Sequence, residues 1–363
     1  MNVTSRQSLA VAGNGLAKRG FVLVMVLWLL LAMTAGASAL AAWVSRSLDQ
    51  AQYMADETRA RVDMHSTLET VKFLSATHPI RVGGISIATD PAEIRRSLSQ
   101  DIGGYAMIES DAGDLAVDDR PYRGLGEALF SVQDELGLIN PNAFDEMTMD
   151  AVLGRQGVPF TQRPVLTSRL RDYTEFRPTR ERRLGAGAED YRVAGRRPPP
   201  NRYLITPLEV RQVLGWDEHD SLWEDHFWRD NTTVLAFGNL NLNAVPEPLL
   251  AALPGISEEA AGRLIAERRQ RPFRSPDEAS SRAGVPAVSD SFAFTVLSDD
   301  NLRLTVWPQD HNRGFRYHLQ LTPQADGRAP WRMRMAYPVN GLNLDRETPQ
   351  DVAHPLMAPP SDR

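Results

Sequence analysis

Hydrophobic positions follow three regimes along this chain: a solid apolar run, then a helical period, then strict alternation near the end. Phe21 to Val44 is 24 residues without a formal charge, and only Thr34 and Ser38 in it carry hydroxyls. As a helix it is about 36 Å long, enough to cross a hydrocarbon core of roughly 30 Å. Beyond it, Val44, Leu48, Ala51 and Ala55, then Met64, Leu68, Val71 and Leu74, recur at helical spacing with charges on the other faces. One long helix, apolar at its start and amphipathic afterwards, is predicted over residues 21–80.

Residues 81–145 are glycine-rich with short apolar runs, Gly104 to Ile108, Ala128 to Val132 and Leu136 to Ile139, which read as strands and turns. From 146 to about 203 the chain is polar and basic, and the prolines Pro198 to Pro200 require loop or polyproline-like backbone. Helical signals dominate from Thr206 to Ala283, with Thr206-Pro-Leu-Glu209 resembling a capped start. The final regime alternates: Leu302, Leu304, Val306; Phe315, Tyr317, Leu319, Leu321; Trp331, Met333, Met335, Tyr337. These three segments predict an antiparallel meander, followed from Asp345 by a proline-rich tail expected to be flexible.

The charges flanking the apolar run orient it. Those before it are Arg6, Lys18 and Arg19, all basic, whereas Asp49, Asp56, Glu57 and Asp63 mix with arginines after it. The basic side is expected in the cytoplasm and the bulk of the chain outside the inner membrane. A secretory signal peptide is the simpler alternative, with Ala37-Ser-Ala39 as a small-residue cleavage signature. It leaves unexplained why Lys18-Arg19-Gly20 abuts Phe21 with no polar spacer.

Gly20 before Phe21, the basic leader and the long helix resemble a type IV prepilin. The resemblance implies cleavage between Gly20 and Phe21 by a prepilin peptidase, with methylation of the new amino terminus at Phe21. Such subunits usually carry glutamate at the fifth mature position, where this chain has Met25. A carboxylate within a membrane helix costs about 2.5–3.5 kcal/mol unless a partner compensates it. Lack of that glutamate, together with Val26-Leu27-Trp28, resembles the K class of type II secretion minor pseudopilins. Further similarities lie in Asp134-Glu-Leu-Gly-Leu-Ile-Asn-Pro-Asn142, Gly187 to Tyr191, Pro200 to Leu204 with Leu208 to Arg211, and Leu240-Asn-Leu-Asn-Ala244.

The resemblance implies an α+β fold: a long amino-terminal membrane and pilin helix packed on an antiparallel pilin-like sheet, with an inserted all-α domain containing a helix-hairpin-helix-like segment. The expected boundaries are a leader at 1–20, the helix at 21–80, the first part of the sheet domain at 81–145, the insertion at 146–285, the returning strands at 286–344 and the tail at 345–363. The implied role is a non-catalytic cap or initiator of a periplasmic pseudopilus that supports export of folded proteins. The implied partners are other minor and major pseudopilins, the prepilin peptidase and the inner-membrane platform of type II secretion, with no nucleic acid.

Bulk properties narrow the rivals. The formal charge is −6, becoming −9 on loss of a leader with three basic residues, a poor match to a general nucleic-acid binder. With no cysteine, disulfides, thiol nucleophiles and thiolate metal sites are excluded. Pro248 to Ser257, followed by Ala260, Leu264 and Ile265, reads as two short helices about a Pro254-Gly255 turn, which resembles a DNA-binding helix-hairpin-helix. The alternative function is therefore a periplasmic DNA-binding or DNA-uptake protein, with Arg263, Arg268, Arg269, Arg271 and Arg274 as its basic face. Against it, Glu258 and Glu259 fall where a phosphate would sit. The same segment could simply pack its apolar residues.

For metals, the family resemblance implies a possible calcium site from Asp172, Glu175, Glu189 and Asp190, loop carboxylates of the kind calcium uses. The competing reading is a solvated acidic loop, which is also the simpler account of Asp111, Asp114, Asp118 and Asp119. His219 and His226 could share a helical face but lack a third zinc ligand. No nucleophile elbow or phosphate loop is present. Trp216, Trp223 and Trp228 are expected to anchor the core or a partner surface of the insertion.

Overall fold

The computed structural model describes residues 16–88, 90, 114–176, 184–290, 292–309, 313–322, 329–340 and 348–358. The expected strand at Gly104 to Ile108, together with Arg6 and Asp111, lies outside them. The chain divides into two compact units, Met1–Arg59 and Ala60–Arg363. The first contains the amino-terminal part of helix α1 (Leu16–Thr77).

The second unit begins with the last turns of α1. Leu68, Val71 and Leu74 are buried there, as their spacing predicts. Short strands follow: β1 (Ile80–Arg81), β2 (Gly84–Ile85), β3 (Leu115–Ala116), β4 (Tyr122–Arg123) and the longer β5 (Ala128–Asp134). Helices α2 (Glu146–Arg155), α3 (Arg163–Thr174), α4 (Ala188–Val193) and α5 (Phe227–Asn231) come next, then β6 (Leu240–Asn241). The block closes with α6 (Glu247–Leu250), α7 (Glu258–Gln270), α8 (Pro276–Ala283) and β7 (Phe294–Thr295). Strands β8 (Asn301–Pro308), β9 (Arg313–Leu321) and β10 (Trp331–Asn340) complete the chain's main sheet.

That sheet has the order β10-β9-β8-β5-β4 and is antiparallel throughout. Because β5 pairs with β8, everything between them is an excursion from one sheet. One face carries Phe130, Val132, Leu302, Leu304, Val306, Leu319 and Leu321, which form a core with Leu68, Val71 and Leu74 of α1. Each such side chain contributes about 1.5–3 kcal/mol by leaving water. The other face is covered by the excursion, so every residue of β5 and β8 is buried. The excursion has its own core, in which Trp216 and Trp228 meet edge to face at 5.0 Å.

Four local expectations need correction. Leu136 to Ile139 is not a strand: Asp134 Oδ1 accepts from Leu136 N at 3.0 Å and turns the chain into a 3-10 turn at Glu135–Gly137. The polar stretch after 146 carries helices α2, α3 and α4, in keeping with a helical insertion. Met149, Val152 and Leu153, then Leu166, Leu170 and Tyr173, are buried at helical spacing while charges cover the remaining faces. At Pro207–Gln212 the helix is 3-10, and Thr206 makes no side-chain capping bond; Glu209 instead accepts from Ile205 N at 2.8 Å.

The other two concern the tail and the last strand. Residues 348–358 are packed: Gln350 exchanges backbone bonds with Arg123 (2.8 Å) and Pro121 (3.0 Å) along the β4 edge, and Met357 enters the core beside Val352. The tail thus covers an otherwise open sheet edge. In β10 the register shifts between Met333 and Met335. Trp331 therefore packs into the α1-side core, whereas Met335 reaches the other core, because a bulge reverses which face alternate residues occupy.

Candidate functional site: the anchor helix and the joint of the insertion

Helix α1 runs through Gly20 and Phe21 without interruption. Phe21, Met25 and Trp28 are 73%, 60% and 67% exposed, and no acidic or basic side chain breaks the surface from Phe21 to Val44. Thr34 turns its hydroxyl back onto Leu30 O and Leu31 O, both at 2.9 Å. Among the described residues this is the one helix long and apolar enough to cross a membrane. Its composition fits a single-pass anchor with a soluble remainder.

The second site is the place where the chain leaves and re-enters the sheet. Asp134, fully buried at the end of β5, accepts from Leu136 N (3.0 Å), from Asn241 Nδ2 (2.7 Å) and from Asp299 N (3.5 Å). It thus joins the exit, β6 and the return. Burial pushes its carboxyl up to about 7 against those three donors. Gly137 is required because a Cβ there would lie 2.6 Å from the backbone of Ala244. Asn140 donates to Ala236 O (2.7 Å), and Asn142 exchanges bonds with Leu204 (2.8 and 3.2 Å).

Asn243 is a buried hub. Its Nδ2 lies 2.9–3.2 Å from the carbonyls of Val82, Phe273 and Val296, and its Oδ1 accepts from Phe273 N at 2.8 Å. The Asp134 to Asn142 and Leu240 to Ala244 motifs are therefore the pegs of one joint.

Above the joint lies a buried ionic layer that the sequence pattern hides. Arg303 and Arg316 come from neighbouring strands, on the face opposite the apolar core. Arg303 donates to Asp230 O (2.8 Å) and Asp119 Oδ2 (3.1 Å), and Arg316 to Asp230 Oδ1 (2.7 Å) and Arg229 O (3.3 Å). Burial raises the Asp230 carboxyl, but Arg316, Arg229 and Arg303 outweigh it and hold the group at about 2. Beside them His318 Nδ1 lies 2.7 Å from Glu135 Oε1 and its Nε2 3.0 Å from Tyr337 Oη. In β9 these polar residues alternate with Phe315, Tyr317 and Leu319, which from sequence marks a solvent face. The one sequence signal is that three arginines and a histidine, Arg303, Arg313, Arg316 and His318, are many cationic residues for one strand pair.

Two of the four acidic candidates, Asp172 and Asp190, accept from the consecutive amides of Ala186 and Gly187. Asp172 accepts from Ala186 N at 3.1 Å, and Asn201 Nδ2 ties the carbonyls of Asp172 (3.1 Å) and Glu175 (3.2 Å) together. Asp190 accepts from Gly187 N at its own helix start (2.8 Å), and Glu189 pairs with Arg192 on the surface. Among the described residues no three His, Asp or Glu side chains form a group that could hold a metal ion. His219 is half-buried and His226 exposed, while Trp216 and Trp228 anchor the insertion's core.

The 248–265 segment forms two helices about Gly255, with Leu249, Leu250, Leu253, Ile256, Leu264 and Ile265 buried. Of the five arginines, Arg268 is buried and donates to Leu242 O (3.1 Å) and Val245 O (2.7 Å), while the other four are exposed. Arg263 donates to Ala283 O (2.9 Å), and Arg271 pairs with Glu278 at 2.8 Å. Ser257 Oγ takes the Ala260 amide at 3.2 Å, one of the amides a phosphate would need. The segment packs its apolar residues into the core of the insertion.

An apolar-then-amphipathic helix whose distal turns pack on an antiparallel sheet defines a pilin-like α+β subunit. Residues 240–298 match the family model of type II secretion system (T2SS) protein K. That match falls on the joint and the hairpin, a minor part of the chain. No curated protein matches the chain. A solved structure, the GspK-GspI-GspJ complex of the enterotoxigenic Escherichia coli type 2 secretion system, is similar at 12% identity with a TM-score of 0.48. The likeness covers 81% of this chain and 99% of that one.

Proposed function

We propose that this chain is a minor pseudopilin of the protein K class that caps or initiates the periplasmic pseudopilus of a type II secretion system. In this reading the precursor is cut between Gly20 and Phe21, the helix from Phe21 onward anchors it in the inner membrane, and the remainder works in the periplasm. The observation that carries the reading is Met25 in a charge-free helix surface. A subunit without a carboxylate there forgoes compensation from a neighbour's terminal amine, whereas a subunit within the filament would gain from it. The large insertion, belonging to the same compact unit as the sheet, supports an end position because it is too bulky to repeat along a narrow stack.

The partners under this reading are other minor and major pseudopilins, the inner-membrane platform and, during maturation, the prepilin peptidase. No step requires catalysis. The absence of native cysteine allows a clean test. Single cysteines placed at exposed positions from Val44 to Val62 should cross-link this chain to other pseudopilins but not to itself. A ladder of self-linked multimers would overturn the end position.

A further inference from the structure

We propose that His318, Glu135 and Thr233 form a pH-sensitive latch that fastens the inserted block to the sheet and releases it on acidification. Each member comes from a different part of the fold: His318 from β9, Glu135 from the turn leaving β5, and Thr233 from the segment after α5 that lies on the sheet. Thr233 Oγ1 donates to Glu135 Oε2, and Thr233 N to Ile139 O at 2.8 Å. Ile139 N returns a bond to Asn231 O at 3.0 Å. Loss of the Glu135 contact therefore loosens a strand-like pairing between exit and insertion.

In the neutral ring both contacts are satisfied: Nδ1–H donates to Glu135, and Tyr337 O–H donates to Nε2. Adding a proton at Nε2 reverses the Tyr337 bond, so that the phenol oxygen accepts, and places a cation beside Arg303 and Arg316. The charged and titratable groups facing the ring are Glu135 from the exit turn, Tyr337 from β10, Arg303 from β8 and Arg316 from β9, with Asp230 and Asp119 behind the arginines. Burial lowers the pKa of His318, Glu135 opposes that, and Arg303 and Arg316 add to the lowering.

The sign follows from linkage. A released latch exposes His318 to water, where it takes up a proton near its ordinary value of 6.5. The closed latch resists that proton. Closure is therefore fully favoured above about 6.5 and is weakened by up to tenfold for each pH unit below it, until the closed form also protonates.

Hydrogen exchange on the full chain in detergent, at pH 7.5, 6.0 and 5.0 and corrected for intrinsic rates, reads this directly. Protection at Ile139 and Thr233 should fall up to tenfold per unit below pH 6.5, while amides of Leu302 to Val306 keep theirs. His318→Gln retains a donor and an acceptor but does not titrate, so its protection should not depend on pH. Unchanged protection in the wild type, or the same pH dependence in the variant, would overturn the latch. Should the variant not fold, imidazole resonances of histidine-labelled wild-type chain decide: His318 must titrate below 6.5, and titration at or above it refutes the proposal.

Discussion

Replacing Arg303 separates the worth of its shape from that of its charge. The side chain is completely enclosed between β8, the turn at Asp119 and the segment from Arg229 to Thr233. Burial, reinforced by repulsion from Arg316, lowers its pKa, so the position disfavours the charge it holds. Its anionic partner Asp119 has a side chain 30% exposed, so water can replace the lost partner there. Arg303→Ala removes the bonds and opens a cavity, a combination that costs about 3–5 kcal/mol. Arg303→Met fills most of the space and leaves chiefly the Asp230 carbonyl without its donor, costing about 1–2 kcal/mol. At roughly 2–4 °C per kcal/mol for a unit of this size class, the melting temperature should drop by about 10 °C for alanine and by less than half of that for methionine. Thermal unfolding of the full chain in detergent, followed by tryptophan fluorescence, measures both. Equal losses for the two variants would refute the reasoning, since the charge itself would then hold the layer together.

Three further outcomes are expected. Asp134 has a folded pKa raised from 3.8 to about 7. The folded state therefore binds the extra proton, and this residue's contribution to stability falls as pH rises through that window. Relative to wild type, Asp134→Asn should gain about 2–3 kcal/mol between pH 5 and 8 in denaturant titrations, and a constant difference would contradict the raised carboxyl. Asn243→Ala leaves three buried carbonyls and one amide unpartnered, so a loss of about 3–5 kcal/mol is expected in the same assay, and a loss below 1 kcal/mol would show that water replaces the hub. Met357→Ser should loosen the tail from the β4 edge, seen as faster exchange of the Arg123 and Gln350 amides; unchanged exchange would mean that the backbone bonds alone retain it.

The long helix, the meander and the packing role of the 248–265 hairpin were legible because each depends on a local period of apolar residues. Leu68, Val71 and Leu74 show their helical face directly, as Leu302, Leu304 and Val306 show a strand. The joint was visible only as motifs, because what makes Asp134, Asn241 and Asn243 necessary is distant backbone that they must satisfy. The ionic layer escaped notice for a related reason. Arg316 and His318 obey the alternation of a half-exposed strand, and nothing local reveals that another part of the chain covers that face. The bulge in β10 and the packed tail are likewise set by tertiary pairing.

That this chain is made as a prepilin and works as an assembled filament subunit rests on the Gly20 to Phe21 junction. Mass spectrometry of the amino-terminal peptide from membrane-extracted protein tests it most directly. The predicted peptide begins at Phe21 with a methylated amine. A peptide beginning at Leu40, after the small-residue signature, would contradict the account and leave a secreted protein without its anchor helix.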